Sequence, residues 1–452
     1  MRRGNAKAAL GLRRCDRGAM VGRREGVGFS RRDSRRTMRA LIVLVGMLAA
    51  LAARPAGADT DARLAAIDAQ ARAAPASSAK SVESLAAYLQ QRTRDERERA
   101  RAAFTWIAHN VSYDGRLRNK PADAKTVLAQ RRAACYGYAV LFEALVEAMG
   151  LEAKTVAGHG KGQGYEPGHG MESAQNHAWN AVKIGGTWAL VDCAWGAGHM
   201  DEQGRFVRRF TDHYFLTPPE EFVYDHFPDD ARWQLLASPI SQTEYLNRVH
   251  VKPVFFERGL RLVSYDRAGI RADSSLQVTV GAPRDTVVTA ELYQDGRQLG
   301  RQYTFTQREA EGFVVRAVFP TRGSYLLRAF AREREAVGGR YEMALQYAVE
   351  ARAGAGKSAG FPETYDTFLA HDCRLGQPLT REIPAGRKVQ FSLSIPGATD
   401  VVVVRSDDVW WMLDKQGDVF AGEVLTEAGD VTVFAKFRDG RRYDGLLKYA
   451  AK

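Results

Sequence analysis

The sequence predicts an α+β protein, with helices packed on an antiparallel sheet in its first half and two β-sandwiches in its second. Three observations carry that prediction. Helical periodicity marks residues 59–109 and 135–150 and fades near residue 253. A Gly185-Gly186 pair joins two strand-like segments into a hairpin. Beyond residue 253, short strands separated by Gly, Asp and Pro turns fall into two similar blocks.

Taken in order, residues 1–58 read as a leader. From Met38 a short basic start precedes an apolar run, Ala40–Ala53, and then Ala56-Gly57-Ala58. That is the pattern of a secretory signal cut after Ala58, and the 14-residue run is too short for comfortable membrane spanning. Residues 1–37 read as an extension upstream of the true start. Ser34 to Arg39 also fits a twin-arginine export signal. The expected compartment is therefore periplasmic or secreted.

Residues 59–95 form an N-terminal helical segment carrying Leu64, Ile67 and Ala71, broken at Pro75 and resumed at Val82, Leu85 and Leu89. A domain over 96–245 follows. It opens with Ala100, Phe104 and Ile107 at helical spacing, and Thr93–Arg101 reads as a solvated charged stretch. Tyr138, Leu141, Phe142, Leu145, Val146 and Met149 give the clearest helix, ended by Gly150. Residues 151–158 and 177–192 read as strands. The two later blocks, 250–352 and 361–452, each open on an aromatic segment and contain a Gly-Ala turn. Each also carries a similar long strand, at Gly323–Ala331 and at Gly429–Phe437. About 95 residues of short strands per block suits a sandwich, and the small polar stretch 353–360 is the linker.

Charge excludes one class of partner. The 452-residue chain is 45% hydrophobic with a formal charge of +12, which alone would suggest an anionic polymer. Residues 1–37 carry twelve Lys/Arg against three acids, and Arg39 and Arg54 bring the leader to +11, leaving 12 − 11 = +1 for the rest. A nearly neutral body implies no nucleic-acid partner. Three cysteines follow the leader, Cys135, Cys193 and Cys373, so at least one thiol of an exported chain stays unpaired within it.

The chemistry falls on Cys135, His177 and Asp192. Cys135 precedes the apolar helix, where unpaired N–H groups and the helix dipole favour thiolate and can hold an oxyanion. A two-residue turn at Gly185-Gly186 sets Asp192 opposite Trp179, so Asp192 shares a sheet face with His177 as a diagonal neighbour. A carboxylate there can hold the imidazole while its other nitrogen serves the nucleophile; a three-residue turn would reverse the face. A buried structural cysteine, a core histidine and a strand-end aspartate are the plainer alternatives.

Four segments in this order resemble the transglutaminase-like superfamily, whose chemistry is of the papain type. They are Trp106 to Asp114, Cys135-Tyr136-Gly137-Tyr138-Ala139, His177-Ala178-Trp179-Asn180-Ala181-Val182, and Trp188 to Gly196. Gly158-His159-Gly160-Lys161-Gly162 and Phe361-Pro362 are similar to the kyphoscoliosis-peptidase subgroup, which carries immunoglobulin-like sandwiches after its core. The resemblance implies Cys135 as nucleophile, His177 as base and acid, and Asp192 as its orienter. It implies a thiol enzyme acting on protein or peptide amide bonds; the leader adds export, which brings in cell-envelope peptides as substrates, and water, always available as acceptor, puts hydrolysis slightly ahead of glutamine cross-linking. A non-catalytic envelope adaptor is the alternative from another class. Trp179 and Tyr136, beside His177 and Cys135, are the expected substrate contacts. Ala133-Ala134 departs from the Gly-Val pair that often precedes the cysteine, and Cys193 after the aspartate either pairs with Cys373 or is inert.

No cofactor is expected. His159, His169, His177 and His199 lack ligand-like spacing, so no metal is expected either. The glycine-rich stretch 158–170 reads as a lid or a flexible insertion. Trp179, Trp188 and Trp195 read as a site wall or as core packing. Trp410-Trp411 reads as an exposed patch or a strand crossing the last sandwich.

Overall fold

The computed structural model describes residues 56–452 apart from 119, 163, 169, 171–175, 202, 336–338 and 439. The signal-peptide and upstream-extension expectations, up to residue 55, lie outside the described residues, as does His169. No helix among the described residues is long and apolar enough to cross a membrane.

The first half supplies helices α1 (Ala56–Arg72), α2 (Val82–Leu89), α3 (Glu96–Asn110), α4 (Ala124–Gln130) and α5 (Cys135–Ala148). Ser81 caps α2, Asp95 caps α3 and Asp123 caps α4, each accepting a first-turn N–H. Phe104, Trp106 and Ile107 of α3 pack with Leu141, Phe142 and Leu145 of α5 in one buried core. Thr93–Arg101 departs from the sequence reading. Glu98 and Arg101 are buried in α3 rather than solvated. Arg101 can be buried because both oxygens of Asp68 take its guanidinium, at 2.7 and 2.6 Å, while Thr105 also donates to Asp68.

The sheet beside these helices is antiparallel and five-stranded. It uses β1 (Ala153–Gly160), β2 (His177–Ile184), β3 (Thr187–Val191), β4 (Phe215–Thr217) and β5 (His226–Pro228), in the order β4-β3-β2-β1-β5. Gly185 and Gly186 both have positive φ, +57° and +80°, which only a two-residue turn of glycine-like conformation uses cheaply. The register follows, with Asn180 opposite Val191 and Ile184 opposite Thr187. Asn180 donates to the Ala139 carbonyl at 3.0 Å, tying β2 to α5.

The second half is two sandwiches with the same plan. In the first, His250–Val251, Glu342–Ala351, Gly323–Glu333, Thr286–Gln294 and Arg297–Gln298 pair in that order, and Gly269–Ala272 joins Glu342–Ala351 in parallel. In the second, Glu363–Thr364, Tyr443–Ala451, Gly429–Phe437, Ala398–Arg405 and Trp410–Met412 repeat it, with Glu382–Ile383 as the parallel addition. A four-stranded sheet faces each, and its order is repeated as well. Alternating burial along Gly323–Glu333 and Gly429–Phe437 shows why: each strand turns one face to the sandwich interior.

Candidate active site

Cys135 is the first residue of α5, and Ala134 at the cap has no side chain to occupy the first-turn N–H groups. Two contacts hold this helix start in place. Tyr138 donates to the Val111 carbonyl at 2.7 Å. Gly137 lets the backbone approach Ala133, whose Cβ would lie 2.7 Å from any Cβ there. Cys135 is 4% exposed. Burial alone would raise its thiol, but the hydrogen bond and charge of His177, with a contribution from the Ala178 N–H, bring it below the ordinary value.

His177 opens β2, and its Nε2 lies 2.6 Å from Oδ2 of Asp192. That leaves Nδ1 for the thiol. Burial opposes a charged ring, yet the Asp192 carboxylate and the Cys135 hydrogen bond together raise His177 to about 10. Asp192 is held below the usual carboxylate range, with the charge and hydrogen bond of His177 and then of His226 overcoming its burial. Its Oδ1 accepts from the Ala194 and Trp195 N–H groups at 2.8 and 3.0 Å, because Asp192 also caps the short helix α6 (Cys193–Ala197). The three residues therefore converge as cysteine, imidazole and carboxylate.

The two expected substrate contacts part company. Tyr136 is 45% exposed beside Cys135, in reach of a ligand. Trp179 is 1% exposed, packed beneath the site rather than at its surface. It alternates onto the same face as His177 and backs the site, 5.9 Å from the His177 ring and 4.9 Å from that of His226. Trp195 takes the outer position, stacked on His177 at 4.7 Å, while Trp188 packs away from the site against Trp233.

The sequence reading missed His226, Asp225 and Tyr214. His226 Nε2 lies 3.1 Å from the same Asp192 oxygen, and its Nδ1 lies 2.6 Å from Asp225 Oδ1. Tyr214 donates to Asp225 at 2.9 Å. The available signal was slight: an adjacent Asp-His pair at the start of a three-residue strand. His177, Asp192 and His226 form the one group of potential metal donors among the described residues. Their 2.6 and 3.1 Å separations are hydrogen-bond lengths. Ligands about 2.0–2.1 Å from a tetrahedral ion would stand farther apart, so the group does not fit a bound metal. His159 faces Asp229 at 3.8 Å and His199 lines the cleft, apart from that group.

Cys135, Cys193 and Cys373 are free thiols, so the Cys193–Cys373 alternative gives way to inert thiols. Burial, with the neighbouring Asp192 charge, pushes Cys193 well above the ordinary thiol value; burial, with Asp372, does the same for Cys373. Of the three, only Cys135 is shifted toward thiolate. A cleft of about 1150 Å³ leads from His177 and Trp195 past His213 to Lys252, Glu257 and Glu342. Its far wall belongs to the first sandwich region, and Arg209 bridges it to Glu342 at 2.6 Å.

The chain matches the Transglutaminase-like superfamily over residues 83–193 and the KY-like, immunoglobulin-like domain over residues 242–362. Kyphoscoliosis peptidase of Mus musculus is 31% identical over 328 residues, covering 71% of this chain and 46% of its own. Kyphoscoliosis peptidase of Homo sapiens is 32% identical over 278 residues, covering 60% and 40%. Hillarin of Drosophila melanogaster is 32% identical over 271 residues, covering 52% and 32%. The chain spans less than half the length of the curated relatives it matches. It carries a transglutaminase-like core followed by a KY-like immunoglobulin-like region, the make-up of the kyphoscoliosis-peptidase-like subgroup.

Proposed function

We propose that this chain is a cysteine-dependent amide-bond enzyme with Cys135 as nucleophile, His177 as acid and base, and Asp192 as orienter. The observation that carries the reading is His177 lying between a thiol lowered toward thiolate and a carboxylate 2.6 Å away. The thiolate attacks a carbonyl carbon, and the free N–H groups at the start of α5 receive the oxyanion. The oxyanion collapses, the C–N bond breaks, and the His177 imidazolium gives its proton to the departing amine or ammonia. An acyl thioester remains on Cys135. Neutral His177 then takes a proton from the acceptor, which attacks the thioester and returns the thiolate.

Water as acceptor makes a protease or amidase; a lysine amine makes a cross-link. The mouse and human relatives are named peptidases, which favours water. The substrate is a protein or peptide lying in the cleft that reaches His177 and Trp195, with export and an envelope substrate resting on the leader sequence alone. The test is intact mass of the full chain after incubation with a glutamine-containing peptide, with and without added amine. An acyl adduct on Cys135, lost in Cys135→Ala, and peptide deamidation or cleavage without amine are expected. No adduct, together with Cys135 alkylating no faster than Cys193 or Cys373, defeats the reading. Amine incorporation in preference to hydrolysis converts it to the cross-linking form.

A further inference from the structure

We propose that His226, anchored by Asp225, is a positioning residue that fixes the Asp192 carboxylate for His177. The inference rests on the triad reading and adds a group to it. Asp192 has two oxygens and four donors. Its Oδ1 takes the N–H groups of Ala194 and Trp195, and its Oδ2 takes His177 and His226. With both oxygens filled, the carboxylate cannot rotate without breaking bonds in a buried site, where an unmade bond to a charge is expensive.

The anchoring of His226 is as complete. Its Nδ1 meets Asp225 Oδ1 at 2.6 Å, and Asp225 Oδ2 accepts from Tyr214. The Asp225 carbonyl accepts from the Lys161 N–H at 2.8 Å and the Tyr245 hydroxyl at 3.1 Å. Phe222 stacks on the His226 ring at 3.8 Å, and Trp195 lies 4.4 Å from it. Both nitrogens of His226 face carboxylates, Nδ1 toward Asp225 and Nε2 toward Asp192. The bonded line thus runs from Cys135 through His177, Asp192, His226 and Asp225 to Tyr214.

The charge placed there has a consequence for the nucleophile. Asp192 pushes the Cys135 thiol upward even while it holds His177. Fixing Oδ2 between His177 and His226 keeps that charge directed at the imidazole rather than at the thiol. The groups facing this site are Tyr113 before α4, Tyr138 on α5, His177 on β2, Asp192 after β3, Cys193 on α6, His213 and Tyr214 before β4, Asp225 and His226, Lys161 after β1, and Tyr245, Lys252 and Glu257 beyond β5. Among them His226 alone bridges two carboxylates.

The test is the pH dependence of Cys135 alkylation by iodoacetamide in the full chain, with the thermal midpoint recorded beside it. In His226→Leu, the alkylation rate at pH 7 is expected to fall roughly tenfold or more, the loss of one charge-assisted hydrogen bond, and its acid limb to move up by about one pH unit. His226→Gln keeps a donor toward Asp192 and should recover most of the rate. A purely structural role would lower the thermal midpoint in both variants and leave the limb in place; that result overturns the proposal. Nitrogen NMR of the unmodified chain provides a check that needs no variant. A protonated Nε2 on His226, bonded to Asp192, supports the proposal, and an Nε2 without a proton overturns it. If Cys135 of the unmodified chain fails to alkylate selectively, the enzyme reading fails instead, and the NMR result still decides the placement of His226.

Discussion

His177 Nε2, at the start of β2, and Asp192 Oδ2, just past the end of β3, stand 2.6 Å apart, both side chains almost wholly out of solvent. Such a bond both orients the ring and stabilises its charged form. Asp192→Asn should therefore preserve the fold while presenting an amide that can stabilise no imidazolium. Turnover is expected to fall by about 10³–10⁴-fold, the scale of the comparable change in a serine protease triad. Steady-state kinetics on a peptide amide would check this, and a loss below tenfold would remove Asp192 from the proposed chemistry.

The same pair makes stability depend on pH with a definite sign. His177 is raised to about 10 in the folded chain, against about 6.5 when unfolded. Its contribution is full below about 6.5 and is lost as pH rises through about 10. Asp192 is depressed, so its contribution is present above about 3.9 and is lost as pH falls toward its folded value. Lys161 acts oppositely at alkaline pH. It is 1% exposed, its ammonium is bound to the Tyr245 carbonyl, and burial lowers it to about 7. Between about 7 and 10.4 the unfolded chain holds more protons on that lysine, so stability rises with pH. The two slopes oppose each other in the native chain. Lys161→Met should expose a fall approaching roughly 1.4 kcal/mol per pH unit between pH 7 and 9.5, read from urea midpoints. Parallel profiles for the two proteins would contradict it.

Gly160 is the third lever on His177. A Cβ there would meet the Trp195 ring at 3.0 Å and His177 Cδ2 at 3.2 Å. Gly160→Ala must push the stacked pair aside by a few tenths of an ångström, and misplacement on that scale is costly to a positioned catalyst. We expect turnover to fall by about tenfold to a hundredfold. The thermal midpoint should drop by only a few degrees, consistent with about 1 kcal/mol of overpacking. Unchanged kinetics would show that the ring stack yields freely.

Local signals made the grouping of Cys135, His177 and Asp192 legible in the sequence. Gly185-Gly186 dictated the turn, the turn dictated the register, and the register put Asp192 on the face of His177. The apolar stripe after Cys135 dictated the helix whose first residue it is. Residues brought in by long connections were not legible. His226 reaches Asp192 across 34 residues on the three-residue strand β5, too short to show a period. Trp179 was misplaced for a related reason: alternation gives its face, whereas its depth depends on Phe222 and His226, which arrive later in the chain. Arg101 was misread because a run of charges is normally solvated, and its partner Asp68 lies 33 residues upstream.

That partner leads to the last expected outcome. The Arg101 guanidinium is held by Asp68 through two bonds, is bridged to Asp212, and lies against the rings of Phe104, Phe210 and Phe215. Removing only Arg101 leaves the Asp68 carboxylate buried with Thr105 as its remaining donor among the described residues. Arg101→Met should therefore destabilise the chain by about 3–5 kcal/mol, the cost of breaking a buried pair from one side. Arg101→Met combined with Asp68→Leu should recover much of that loss, because apolar side chains of similar volume remove the stranded charge along with its partner. Chemical denaturation of the two variants decides the matter. Equal stability of the single and double variants would mean that the pair, though buried, is solvated well enough for its loss to be absorbed.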